Sequence, residues 1–220
     1  MTTTKLYDII LADDHILLRD ALANLIDGFQ EFNVIAKAAN GSEVIELIES
    51  GMLPDILVMD LNMPKMDGYE TAKWLVKKHP QIKIVILTMY GSEIVLIRML
   101  QLGVSGFLKK DIHPAELKNA LLKIAAGEIF YNSRTAEKII SLFKKKQGRN
   151  FTIENLLLND LEIEFIKWSA TEMSYNEIGK TMHLNQRYIN SFRQALFTKL
   201  EVHSRTELIV YAFQNGIITF

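Results

Sequence analysis

The chain has 220 residues at 25.2 kDa, is 49% hydrophobic and 23% charged, carries 25 basic against 26 acidic side chains, and lacks cysteine. That composition argues against intrinsic disorder, and the absence of cysteine excludes a disulfide framework, a thiol nucleophile and a cysteine-ligated metal. No apolar run approaches the ~18 residues of a membrane span and no basic-then-apolar leader opens the chain, so the expected location is cytoplasmic with no membrane partner. At roughly 100–200 residues per domain, the length suits one large domain or two small ones.

From Tyr7 to about residue 126, short apolar runs alternate with helical periodicity. The runs are Tyr7–Ala12, Val34–Ala39, Ile56–Met59, Ile82–Leu87 and Gly106–Leu108. Between the first two, Leu17, Leu18, Ala21, Leu22, Leu25 and Ile26 recur at the spacing of one helix face. Five such repeats, with strands apolar on both sides, predict an α/β fold: a doubly wound, five-stranded parallel sheet with its ligand at the carboxyl ends of the strands. Near Glu128 the texture changes. Residues 133–146 read as one helix ending in three lysines, 147–150 as a linker, and from about Asn159 only helical periodicity remains. The expected division is therefore a first domain over 1–127, a linker with a helix over 128–150, and an all-α domain over 151–220.

The strand ends of the first domain are chemically unusual. The first run leads into Asp13-Asp14, the third into Asp60-Leu61-Asn62-Met63-Pro64, the fourth ends at Thr88, and the fifth reaches Lys109-Lys110. Each residue alone has a bland reading: an acid can cap a helix, and a lone lysine is most often solvated. Together they converge on one sheet edge. Carboxylates 4 Å apart repel by about 4 kcal/mol per pair at an effective dielectric near 20, so such a cluster wants a hard cation, and oxygen donors suit Mg²⁺. A cation there leaves one carboxylate as a usable nucleophile toward a phosphoryl group. Asp60, on the central run, is the best candidate for that role. Asp14, with Asp13 through water and the backbone carbonyl of Asn62, would hold the metal.

Asp13-Asp14, the stretch Asp60 to Gly68, Thr88 and Gly106 to Asp111 resemble the receiver domain of a two-component response regulator over residues 5–126. The resemblance implies a flavodoxin-like fold with Asp60 as phosphoacceptor and Asp13 and Asp14 completing the Mg²⁺ site. It makes Lys110 the phosphate-balancing lysine, and Thr88 and Phe107 the pair that rearranges on phosphorylation. A haloacid-dehalogenase-like phosphatase would need an acid two residues after its nucleophile. Asn62 stands there, and an amide cannot act as a general acid, so Asp60 reads as a switch and not as a turnover catalyst.

In the second domain Ser174 and Glu177 form a capping box for a short helix through about Thr181, and Asn185 is a good N-cap for a helix over 186–200. Ile189, Phe192, Leu196 and Leu200 share one face of that second helix. Polar groups line the opposite side, which suits a helix lying in a major groove, although taken alone the pattern also suits an ordinary amphipathic helix with a solvated face. Leu158–Ile166, Ser174–Gly179 and Lys199–Leu208 resemble the LuxR/NarL-type helix-turn-helix output domain. With the receiver, the whole chain looks like a NarL/FixJ-type transcriptional response regulator. The likeness implies base contacts from Asn190, Ser191 and Gln194, while Arg187, Arg193, Lys199 and Arg205 would meet phosphates. Tyr188, Asn190, Phe192 and Glu201 depart from the threonine, lysine, histidine and glycine common at those places.

The expected partners are a sensor histidine kinase, promoter DNA, and a second copy of the chain once phosphorylated. The final helix, about 205–214 with Leu208, Ile209, Tyr211 and Ala212, is a candidate dimer seam, and the same pattern equally suits packing within its own small domain. A receiver-gated protein-interaction module that no longer binds DNA is the alternative.

Overall fold

The structure is a computed structural model, and it describes residues 5–89, 93–131, 158–215, 217 and 218. The chain divides into two compact units, the first built on a parallel sheet and the second helical. In chain order the elements up to residue 131 are β1 (Tyr7–Ala12), α1 (Ile16–Asp27), β2 (Phe32–Ala38), α2 (Gly41–Glu49), β3 (Ile56–Met59), α3 (Gly68–Lys78), β4 (Lys83–Thr88), α4 (Glu93–Leu102), β5 (Gly106–Lys109), α5 (Pro114–Ala125) and β6 (Phe130–Tyr131).

The strand order is β2-β1-β3-β4-β5-β6 and all pairs are parallel. Because side chains alternate along a strand, one set builds each face of the sheet. Ile9, Leu11, Ile56, Val58, Val85, Leu87 and Leu108 pack with Ala23 and Ile26 of α1 and Leu117, Leu121 and Ile124 of α5. The intervening Ile10, Leu57, Met59, Ile84 and Ile86 are equally buried toward the other face. Strands covered on both sides must be apolar throughout, which is why these runs are continuous and not alternating. Each fully buried Ile or Leu contributes about 1.5–3 kcal/mol.

Two expectations change here. The sheet has six strands, not five: Phe130 and Tyr131 pair with Gly106 and Phe107 inside the stretch read as linker. Two residues carry no periodicity. The Phe130 N–H to the Ser105 carbonyl (2.9 Å) and the Tyr131 hydroxyl to the Val104 carbonyl (3.1 Å) define this strand. In α1, Leu17 is 86% exposed and Ala21 is exposed too, while Ala23 and Ile26 are buried and Leu22 and Leu25 pack beside them. The buried face thus begins a turn later than the apolar spacing suggests. The helix read over 133–146 lies outside the described residues.

Among the described residues the second unit contains α6 (Asp160–Ser169), α7 (Tyr175–Thr181), α8 (Gln186–Leu200) and α9 (Arg205–Gln214). Every start is capped by a side chain: Asn159 and Ser174 in full capping boxes with Glu162 and Glu177, Asn185 onto Tyr188 N–H, and Ser204 onto Glu207 N–H. Each such cap is worth about 1 kcal/mol. The helices close over Phe165, Ile166, Ile178, Ile189, Leu196 and Leu208.

Candidate functional site

The order β2-β1-β3-β4-β5 puts the ends of β1, β3 and β5 at one edge of the sheet, with β3 in the middle. Backbone bonds fix the acids that follow. Asp13 N–H donates to the Ala38 carbonyl (3.1 Å) and Asp60 N–H to the Ala12 carbonyl (2.8 Å). The loop after Asp60 turns tightly against Gly68, where a β-carbon would stand 2.6 Å from the Asp60 carbonyl oxygen. Only glycine allows that approach.

Lys110, whose side chain is 2% exposed, bridges two strand ends, with its Nζ 2.7 Å from Asp13 Oδ2 and 2.9 Å from Asp60 Oδ2. The other Asp60 oxygen, Oδ1, accepts the Leu61 N–H at 2.7 Å. Asp13 and Asp60 are buried, whereas Asp14 is open to solvent. One ligand atom from each of Asp13, Asp14, His15 and Asp60 lies within 4.8 Å of the others. Burial raises the Asp60 carboxyl pKa above its ordinary value; the Lys110 ammonium pulls the other way, and the neighbouring Asp13 charge adds to the rise. Burial opposes the charge on Lys110, but hydrogen bonds and attraction from Asp13 and Asp60 outweigh it and hold the lysine above its ordinary pKa.

Of the predicted site residues, Asp13, Asp14, Asp60 and Lys110 are gathered directly. Thr88, 1% exposed at the end of β4, joins through its carbonyl, which accepts the Lys110 N–H at 2.9 Å. Phe107, 1% exposed, lies in β5 opposite Ile86, and Asn62 is half-buried in the loop after Asp60. Sequence reasoning missed His15 and Arg19. His15 Nδ1 lies 3.1 Å from Asp13 Oδ1 and 2.9 Å from Asp14 Oδ1, and Arg19 donates to the Asp13 carbonyl at 2.7 Å. The available signal was position: His15 is the N-cap of α1 directly after the acid pair, yet its side chain caps nothing. Three carboxylates against one ammonium leave surplus negative charge among hard oxygen donors, so the donor set fits Mg²⁺.

In the second unit α8 buries Ile189 and Leu196 and exposes Gln186, Arg187, Asn190, Ser191 and Gln194. The remaining predicted contacts are engaged within the unit. The Arg193 guanidinium lies 4.6 Å over the Tyr175 ring. Lys199 Nζ is held by both Glu162 oxygens, at 2.8 and 2.7 Å. Arg205 donates to the Ser169 and Thr171 carbonyls at 2.9 and 2.7 Å. Of the two readings of α9, Leu208, Ala212 and Tyr211 follow packing within the unit: the first two are wholly buried and the third packs against that core, while Val210 and Phe213 are exposed.

Comparison with known proteins matches residues 9–122 to the response regulator receiver domain and residues 157–212 to the bacterial regulatory proteins of the luxR family. The transcriptional regulatory protein YdfI of Bacillus subtilis is 30% identical over 213 residues, covering 96% of this chain and 97% of the relative. Among solved structures, a LuxR-family response regulator from Aurantimonas sp. is 30% identical with a TM-score of 0.60, covering 64% of this chain and 99% of that one. RcsB from Salmonella enterica serovar Typhimurium, bound to the rprA promoter with a phosphomimetic, shares the fold at a TM-score of 0.70 and 21% identity, covering 94% of this chain and 98% of its own. The chain belongs to the LuxR-type family of response regulators, in which a receiver domain is joined to a helix-turn-helix domain.

Proposed function

We propose that this chain is a cytoplasmic, phosphorylation-controlled transcription regulator. A sensor histidine kinase is the donor, Asp60 the acceptor and promoter DNA the target. The observation that carries this reading is the Lys110 bridge between Asp13 and Asp60 with Asp14 beside it. The assignment divides the chain into a receiver over 1–127, a linker over 128–150 and a DNA-binding domain over 151–220.

Asp13, Asp14, Asp60 and the Asn62 carbonyl are the residues to hold Mg²⁺, which when bound supplies positive charge for the oxygens of the moving phosphoryl group. A carboxylate oxygen of Asp60 attacks phosphorus on the kinase's phosphohistidine; the P–O bond forms as the P–N bond breaks, and the imidazole keeps the electron pair. Burial keeps water from competing for the buried acceptor. Lys110, charged at neutral pH, balances the added charge. The Thr88 hydroxyl bonds the new phosphoryl group, and Phe107 rearranges with it, shifting the population of a bistable surface.

That shift favours a homodimer whose two α8 helices reach successive half-sites. In this reading Asn190, Ser191 and Gln194 read base edges, and Arg187, with Arg193, Lys199 and Arg205, meets phosphates. Because the last three already serve as internal braces, each subunit contributes few free phosphate contacts, and the affinity depends on pairing.

The test is incubation of the full chain with Mg²⁺ and a small phosphodonor, followed by mass measurement, sedimentation and duplex binding across salt. Native protein gains one phosphoryl group and Asp60→Asn none; the phosphorylated chain dimerises and binds duplex with a salt slope of about −0.9 per phosphate contact. Phosphoryl gain without any salt-dependent duplex binding would move the reading to the interaction module.

A further inference from the structure

Tyr188 stands in the first turn of α8, its N–H held by the Asn185 cap at 2.9 Å. Although its side chain is large and apolar, the residue is 47% exposed. Its ring is not loose: it stacks on Phe192 at 6.0 Å and 24°. Phe192 meets Phe165 edge-on at 5.5 Å, and Phe165 is wholly buried. Tyr188 is therefore the outermost ring of an aromatic ladder rooted in the core, its orientation fixed before any ligand arrives. On the same face one turn later, Ser191 donates its hydroxyl proton to the Tyr188 carbonyl at 2.9 Å, so Ser191 offers an acceptor outward and little as a donor.

We propose that Tyr188 is a specificity-determining residue of the helix-turn-helix unit, reading the C5-methyl of thymine in the major groove with its braced ring. The assignment rests on the DNA-binding reading above. Three observations carry it. The N-terminal residues of a recognition helix are those that reach base edges. The apolar feature of the major groove is the thymine methyl. A pre-oriented ring gives up little conformational freedom on contact, so the burial of the methyl is not offset by ordering. A solvated tyrosine would need no ladder behind it.

The test uses the full chain treated with Mg²⁺ and a small phosphodonor. Duplexes that bind are selected from a pool randomised at its centre and remade with deoxyuridine in place of thymidine, which removes only the methyl groups. Native protein binds the uracil duplex about fourfold more weakly for each thymine read, the size of one buried methyl. Tyr188→Phe keeps that discrimination, and Tyr188→Ala binds both duplexes alike. The proposal is overturned if native protein does not distinguish the two, or if Tyr188→Phe weakens both equally, which would place the hydroxyl on a phosphate instead. If no duplex is selected and none binds at low salt, the DNA-binding reading itself has failed and this assignment falls with it; binding that ignores the methyl defeats this assignment alone.

Discussion

Lys110 in the sheet unit and Lys199 in the helical unit are both drawn against carboxylate oxygens, at 2.7 and 2.9 Å in the first case and 2.7 and 2.8 Å in the second. What separates them is the acid cluster gathered around the first. Lys110 answers Asp13 and Asp60 with Asp14 alongside, so its site keeps unbalanced negative charge and has chemistry left to do. Lys199 is held by both oxygens of Glu162, 37 residues away in sequence, and that pair offsets its charges. Glu162 is also the capping-box residue of α6, so this pair ties α8 to the start of α6. An ion pair by itself therefore marks neither a site nor a brace; the cluster of acids beside Lys110 marks the site.

Removing each lysine's role should break the comparison in different ways. Lys110→Met leaves two buried carboxylates without their cation, at a cost of about 3–5 kcal/mol at pH 7, read from chemical denaturation. Asp60 already has a raised pKa. Since its folded value exceeds the unfolded one, the native state binds the extra proton, and stability recovers as pH falls through that raised value toward the ordinary 3.8. Added Mg²⁺ should also restore part of the loss in this variant. A stability of Lys110→Met that ignores both pH and Mg²⁺ would undo the surplus-charge account.

Glu162→Ala should cost about 2 kcal/mol, between the values for exposed and buried pairs and including the lost cap. This loss should be indifferent to Mg²⁺, and phosphoryl uptake on Asp60 should be unchanged by mass.

Tyr131→Phe sharpens the account of the sixth strand. Losing the hydroxyl bond to Val104 costs about 1 kcal/mol at neutral pH. Burial pushes the Tyr131 hydroxyl up to about 12 from an ordinary 10.0. The native state thus keeps a proton that the unfolded chain gives up, so stability falls as pH rises from 10 toward 12. The variant should show a shallower fall over that window. Tyr211, likewise raised to about 12, leaves the remaining slope in place.

The smallest effect is expected at the end of α8. Glu201 is its C-cap at φ +55°, ψ +37°, the left-handed region that a side chain disfavours. Glu201→Gly should stabilise the helical unit by roughly 0.5–1 kcal/mol, visible as a higher denaturant midpoint. The departure from glycine noted in the sequence thus has a cost in backbone conformation. Among the described residues the Glu201 side chain makes no hydrogen bond or ion pair that would offset it.

Much of this protein was legible in its sequence because the relevant signals are local. Apolar runs such as Ile56–Met59 specify buried parallel strands, and Ser174, Glu177 and Asn185 specify helix starts through hydrogen bonds reaching only three residues. The clustering of Asp13, Asp14 and Asp60 also followed from sequence, since chain order in a doubly wound sheet already sends those strand ends to one edge. Other features depended on partners distant in the chain. β6 exists through Ser105 and Gly106, the Lys199 bond through Glu162, and the Arg193 contact through Tyr175. The inward turn of Leu208 and Ala212 is equally a matter of what the other helices bring against them. Capping and periodicity act within a few residues and can be read in one dimension. Which charges are spent, and which rings brace one another, depends on neighbours that only the folded chain supplies.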